Sequence, residues 1–259
     1  MKKLLLSLGI LLGCASAIMA QVEMSMGYMY GDARGIMGTK IDGIHGLNMD
    51  AYFNLKETNL AFGVELGIGT YGSEESEQYY EFDNATSMLA PVSVVNNVFN
   101  TGLLVRYELF PDAALRPYAV GRAGMSRFST NLSIEDPREI HTDKCPQPLE
   151  TETLAADVSW TTGAGVGLRY DLGTIFKGLG RNSLFFDISA NYSKGTIVDY
   201  MSVDPPSGTF VTGENVESVN FLFANEAHPE IIHEYHTGYL YRTPLELMNY
   251  RFALSYKFN

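Results

Sequence analysis

The 259-residue chain carries 30 acidic against 18 basic residues, a formal net charge of −12. So acidic a chain repels nucleic-acid phosphates, and that partner is set aside. The length suits one or two domains, and with no stretch resembling a linker the reading is one folded domain over 21–259.

Lys2 and Lys3, the apolar run Leu4 to Leu12 and the small residues Ala15, Ala17 and Ala20 read as a secretory signal peptide over 1–20. Leu11-Leu12-Gly13-Cys14 resembles a lipoprotein processing box, so lipidation of Cys14 stands as the alternative to ordinary cleavage after Ala20. Ordinary cleavage leaves Cys145 as the one cysteine, which rules out a disulfide scaffold or a cysteine-rich metal site. It also leaves 16 basic against 30 acidic residues, a net of −14. No later apolar run approaches the roughly 20 residues of a membrane-spanning helix.

Val22 to Tyr30 begins the folded part with a two-faced alternation: Met24, Met26 and Tyr28 on one side, Glu23, Ser25 and Gly27 on the other. A glycine-punctuated link, Gly31 to Gly43, leads to a second strand, Ile44 to Leu55. The Lys56-Glu57-Thr58-Asn59 turn then leads to a third, Leu60 to Thr70, whose large side chains all fall in one row. Tyr71 to Pro91, with Glu74, Glu75, Glu77, Glu81 and Asp83, reads as a solvated loop. The fourth strand sets Phe99, Leu103, Val105 and Tyr107 against Gly102, Arg106 and Glu108. The fifth, Arg116 to Phe128, is less regular, because Arg122 falls on the face that Tyr118 and Val120 begin. A β-bulge near Gly121 or Gly124 is expected to relieve it, since an arginine facing lipid at mid-bilayer costs about 2–4 kcal/mol. Ser129 to Thr153 reads as a second polar loop. Strand six alternates from Val158 to Tyr170 and strand seven from Ser183 to Ser193. Gly195 to Tyr241 is the longest connection, and Met248 to Phe258 closes the set with an aromatic row: Tyr250, Phe252, Leu254, Tyr256 and Phe258.

The polar rows are rich in glycine and serine, which suit the cramped inside of a narrow barrel better than a water-facing strand. The bulky rows do not fit there, which leaves lipid as their neighbour. The expectation is an all-β, eight-stranded antiparallel up-and-down transmembrane β-barrel. Its connections alternate short and long, so the long loops gather on one side of the membrane.

With its signal peptide, eight-strand rhythm and Tyr250-x-Phe252-x-Leu254-x-Tyr256-x-Phe258, the chain resembles the small outer-membrane β-barrels of Gram-negative bacteria, the OmpA transmembrane, OmpX and OmpW-like group. The resemblance implies a place in the cell outer membrane, with outer-membrane lipid and the barrel assembly machinery as partners. It also implies that Tyr256 and Phe258 serve as the assembly signal, although Asn259 follows the phenylalanine here.

On the inner rows lie Glu23, Asp50, Glu65, Arg106, Glu108, Arg169, Asp171, Asp187, Arg251 and Lys257. Charges of both signs in a lumen just wide enough for side chains are expected to pair. The network expected from them is Glu65, Arg106, Glu108, Arg169, Asp187 and Arg251, a polar plug, with a narrow path for small or apolar solutes as the alternative. His228, His233 and His236 supply metal-type ligands at a spacing that matches no specific site. Gly163 to Gly167 lacks the following helix that a dinucleotide loop needs. Cys145 reads as an incidental thiol. His141-Thr142-Asp143 is the nearest approach to a catalytic pair, which makes an outer-membrane lipid-modifying enzyme the second alternative. The reading is therefore non-catalytic and without cofactor: a barrel that presents acidic, tyrosine-rich loops (Tyr79, Tyr80, Tyr235, Tyr239, Tyr241) to an extracellular ligand or in support of envelope integrity.

Overall fold

The structure, a computed structural model, describes residues 21–55, 58–81, 87–138, 148–176, 180–202, 216–224 and 232–258. The segment read as a signal peptide, with Cys14, lies outside them. The strands are β1 (Gln21–Ala33), β2 (Ile44–Asn54), β3 (Leu60–Glu81), β4 (Ser87–Glu108), β5 (Leu115–Glu135), β6 (Pro148–Asp171), β7 (Leu184–Ser202), β8 (Glu217–Ala224) and β9 (Ile232–Lys257). Eight of them close an antiparallel ring in the order β1 to β7 and then β9, sealed by the β1–β9 pairing; β8 pairs with β9 outside it.

One rung of strand partners fixes the shape of the ring. From Lys194 on β7 it passes Thr162, Ala123, Leu103, Val64, Ala51, Met24 and Tyr256 and returns to β7 at Leu184, ten residues away. With eight strands, that stagger tilts them about 40° from the axis. Ten residues of strand at this tilt rise about 25 Å, the height of the apolar band on a membrane barrel. Over that height the outer rows are bare and apolar: Leu66, Leu103, Val166 and Leu254 are more than half exposed. Tyr107, Phe110, Tyr256 and Phe258 lie toward the short-turn end of the band, and Phe99, Trp160 and Tyr192 toward the other.

Three expectations from sequence need correction. First, β5 pairs with β4 from Tyr118 to Ile134 and with β6 from Leu115 to Thr130 without a register shift, so there is no bulge at Gly121 or Gly124. Tyr118, Val120 and Arg122 share the inner row with Arg116, and the outer row is made of the small residues Ala119, Gly121 and Ala123. Small outer residues had disguised which face was which. Register shifts fall instead just beyond the apolar band at Thr70/Gly72, Thr130/Asn131 and Lys194/Ile197, and further into the extensions at Ile134/Glu135 and Val219/Asn220.

Second, most of the two shorter polar connections is strand. β3 and β4 pair as far as Glu81–Ser87, and β5 and β6 as far as Glu135–Pro148. Their inner rows, Val92, Val94 and Val98 on β4 with Phe128, Leu132 and Ile134 on β5, are buried and apolar. Acidic residues on the outward rows had masked that alternation.

Third, the longest connection holds β8. β9 pairs with β1 from Leu247 to Lys257, and with β8 on the same edge from Ile232 to Leu240. Backbone pairing of β6 to β7 stops at Thr161–Gly195, and that of β2 to β3 at His45–Thr70. Beyond the band the ring thus opens into two sheets, β3–β4–β5–β6 and β7–β9–β8. Phe221 and Phe223 of β8 pack against Tyr80, Val92, Val94, Leu132 and Ile134 of the facing sheet. We call this part the head.

Candidate functional site

The barrel interior is stratified. Nearest the short turns, Arg106 forks onto Glu23, with Nη1 donating to Oε1 at 2.9 Å and Nη2 to Oε2 at 3.0 Å. Arg169 approaches the same carboxylate at 2.8 Å, donates to Glu108 and stands 3.7 Å from Asp187. Tyr118 donates its hydroxyl to Asp187 Oδ1 at 2.7 Å. The guanidinium planes lie on aromatic faces, Arg106 4.0 Å from the Tyr52 ring and Arg169 4.1 Å from Phe185. Glu23, Arg106 and Arg169 are at most 1% exposed. A planar, multiply bonded arginine is the cation that such a dry setting accepts.

One layer further up, Arg251 pairs with Asp50 and donates to Ser25, and Arg122 donates to Glu65 Oε1 at 2.5 Å. A void beside this upper layer, lined by Tyr52, Tyr118, Arg122 and Arg251, measures about 20 Å³, room for roughly one water. Amide and hydroxyl groups come next, with Ser126 donating to Asn100 at 2.5 Å. Above them Met37, Ile44, Val98, Phe128, Tyr200 and Leu245 form an apolar core across the bore. Met37 is brought there by a single 3-10 turn, Met37–Thr39, within the glycine-punctuated β1–β2 link.

The six residues expected to form one network thus fall in two groups. Arg106, Glu108, Arg169 and Asp187 meet around Glu23, while Glu65 and Arg251 belong to the layer with Arg122 and Asp50. Sequence reasoning missed Arg122, Tyr118 and Tyr52, although the row Arg116-x-Tyr118-x-Val120-x-Arg122 carried the signal for two of them. Asp171 does other work: its carboxylate accepts from Gly173 N and Asn182 N and caps the 3-10 turn Leu172–Thr174. Lys257, half-buried, lines a cavity of about 440 Å³ at the short-turn mouth, with Arg116, Asp112 and Asn182. Tyr256 and Phe258 sit edge to face, 4.9 Å apart, on the outer face at that end.

In the head, the tyrosines expected on an exposed surface divide. Tyr79 is 70% exposed, but Tyr80 and Tyr241 are buried, and Tyr235 shares a hydrogen bond with Ser76 at 2.7 Å. β8 accounts for Tyr80, which packs with Phe221 and Phe223, whereas Tyr241 stacks on Tyr200 in the core across the bore. Arg138 beside Asp136 holds that carboxyl below its ordinary range, and burial pushes Glu150 above it. His236 contacts Ser218 and Asn220 through Nδ1, at 3.2 and 3.0 Å. His228, His141 to Asp143 and Cys145 lie outside the described residues, as does the side chain of His233.

No family model matches the sequence, and neither does any curated protein. Among solved structures the chain is similar to Neisserial surface protein A, at 10% identity over 92% of this chain and 97% of that one, TM-score 0.41. It is likewise similar to the outer membrane protein OprG from Pseudomonas aeruginosa, at 11% identity over 93% and 96%, TM-score 0.43. A third is Ail, the attachment invasion locus protein of Yersinia pestis, in complex with the heparin analogue sucrose octasulfate, at 11% identity over 92% and 99%, TM-score 0.39.

Proposed function

We propose that this chain is an outer-membrane β-barrel that conducts nothing through its bore and acts through its head, as a surface attachment or envelope-integrity protein without catalytic chemistry. The observation that carries the reading is the filled interior. Two layers of paired charge with a void the size of one water lie beneath an apolar core, and neither offers an ion a hydrated route. A bore of this kind serves as a strut: it holds eight strands in one register while the head meets the surroundings. The head carries Glu74, Glu75, Glu77 and Glu152 in exposed positions, so its extracellular ligand is expected to present positive charge. In the same reading Tyr256 and Phe258 are the pair that the barrel assembly machinery engages, and outer-membrane lipid surrounds the apolar band.

Planar-bilayer recording tests the central point. The purified protein is expected to give no steady conductance, and Arg106→Gly with Arg251→Gly, which empties both charge layers, to give at most brief openings beneath the intact apolar core. A stable open level from the native protein would overturn the strut and favour a channel.

A further inference from the structure

One cavity is unrelated to the bore. On the outer wall an apolar groove of about 900 Å³ follows a single rung of strand partners, from Val64 across Leu103, Ala123 and Thr162 to Lys194. Four strand spacings make it about 19 Å long, comparable to an extended fatty acyl chain. Because the strands tilt, the rung rises about 12 Å through the apolar band as it passes round the wall over these four spacings, and its upper end reaches the boundary marked by Trp160. Two cations stand there. Lys194 lines the groove, 63% exposed and 3.3 Å from Glu246. Arg127 lies on the outer row of β5, two residues above Met125 of the groove wall. It is exposed and makes no ion pair or hydrogen bond among the described residues.

We infer that this groove seats one anionic phospholipid, its acyl chain along the rung from Lys194 to Val64 and its headgroup between Arg127 and Lys194. The inference rests on the membrane reading above. Charge complementarity selects the occupant. An arginine on an outer face two residues from lipid-contacting methionine has no partner among the described residues, and a headgroup phosphate at the bilayer boundary supplies the carboxylate-like acceptor it lacks. Lys194 keeps its contact with Glu246 and adds a second, more weakly held positive charge. A lone cation at a membrane surface enriches anionic lipid about fivefold over neutral lipid.

The chain's single tryptophan, Trp160, lines the groove and reports on it directly. The protein is reconstituted in phosphatidylcholine vesicles containing a small, equal fraction of either phosphatidylglycerol or phosphatidylcholine brominated near the headgroup end of one chain. Brominated phosphatidylglycerol is expected to quench Trp160 several times more strongly than brominated phosphatidylcholine. Arg127→Gln is expected to reduce that preference, and Arg127→Gln with Lys194→Gln to abolish it. Ala123→Phe, which fills the floor from the lipid side, is expected to lower quenching by both lipids while the closed barrel is retained. Equal quenching by the two lipids in the native protein would overturn the headgroup site and leave the membrane barrel standing. Absence of quenching by either lipid would overturn the membrane reading itself.

Discussion

Glu23 and Arg106 set the terms at the scale of single residues. Each is all but fully buried, and each charge is tolerated because the other is within hydrogen-bond reach in a forked geometry, with Arg169 beside Glu23 as a second partner. Removing one partner strands the other in a poorly solvating interior, which costs about 3–5 kcal/mol; replacing both with apolar groups of similar volume avoids most of that cost. Arg106→Ala is therefore expected to lower the urea midpoint for unfolding in lipid vesicles markedly, and Glu23→Leu with Arg106→Met to recover much of the loss. An unchanged midpoint for the single variant would mean that the pair contributes nothing. Close packing restricts neighbours too: a Cβ on Gly167 would lie 2.2 Å from the Tyr118 ring, whose hydroxyl holds Asp187. The alternation of Gly163 to Gly167 thus leaves room for large side chains that reach across from β5 and β7.

At the scale of elements, β8 decides what the far end of the molecule is. Without it, the extensions of β3 to β6 would be long ribbons with one apolar face open to water. With it, Phe221 and Phe223, 4% and 6% exposed, close that face. Burying a phenylalanine of this kind and then truncating it costs about 3–5 kcal/mol. Phe221→Ala with Phe223→Ala is expected to make the head sensitive to added protease while the barrel below resists. Heat-modifiable migration on a gel would follow the barrel, and fragment mass the head. Equal resistance of variant and native head would show that β8 is not its clasp. The seam between β6 and β7 is stitched by single contacts, Ser159 donating to the Thr196 carbonyl at 2.9 Å and Asp199 N donating to Asp157 at 2.9 Å.

At the scale of the whole molecule, the two parts have separate interiors. The band is filled by ion pairs and amides, the head by aliphatic and aromatic packing, and they meet at the core around Met37 and Phe128. Trimming the hairpins back to the register shifts at Thr70/Gly72, Thr130/Asn131 and Lys194/Ile197 is expected to leave a closed, heat-modifiable barrel that has lost surface attachment. A trimmed chain that fails to close in detergent would show that the head is part of the barrel's own stability.

The sequence by itself determined the barrel. Strict alternation over ten or so residues, with glycine and serine opposite bulky apolar rows, leaves a strand few ways to satisfy both faces, and eight such strands with alternating connection lengths close on themselves. It likewise determined which charges face inward on β4, β6, β7 and β9, because period two admits no half-measures there. Only the tertiary structure decided the rest. Arg122 joined the inner row because its outer neighbours are too small to mark a face. Glu23 became the hub of the lower charge layer because the stagger of ten residues brings β1, β4 and β6 to one height, and stagger belongs to the closed ring, not to any strand. The head emerged from segments that read as loops because their apolar rows find partners only on β8 and on one another, across stretches of chain too far apart for local pattern to join.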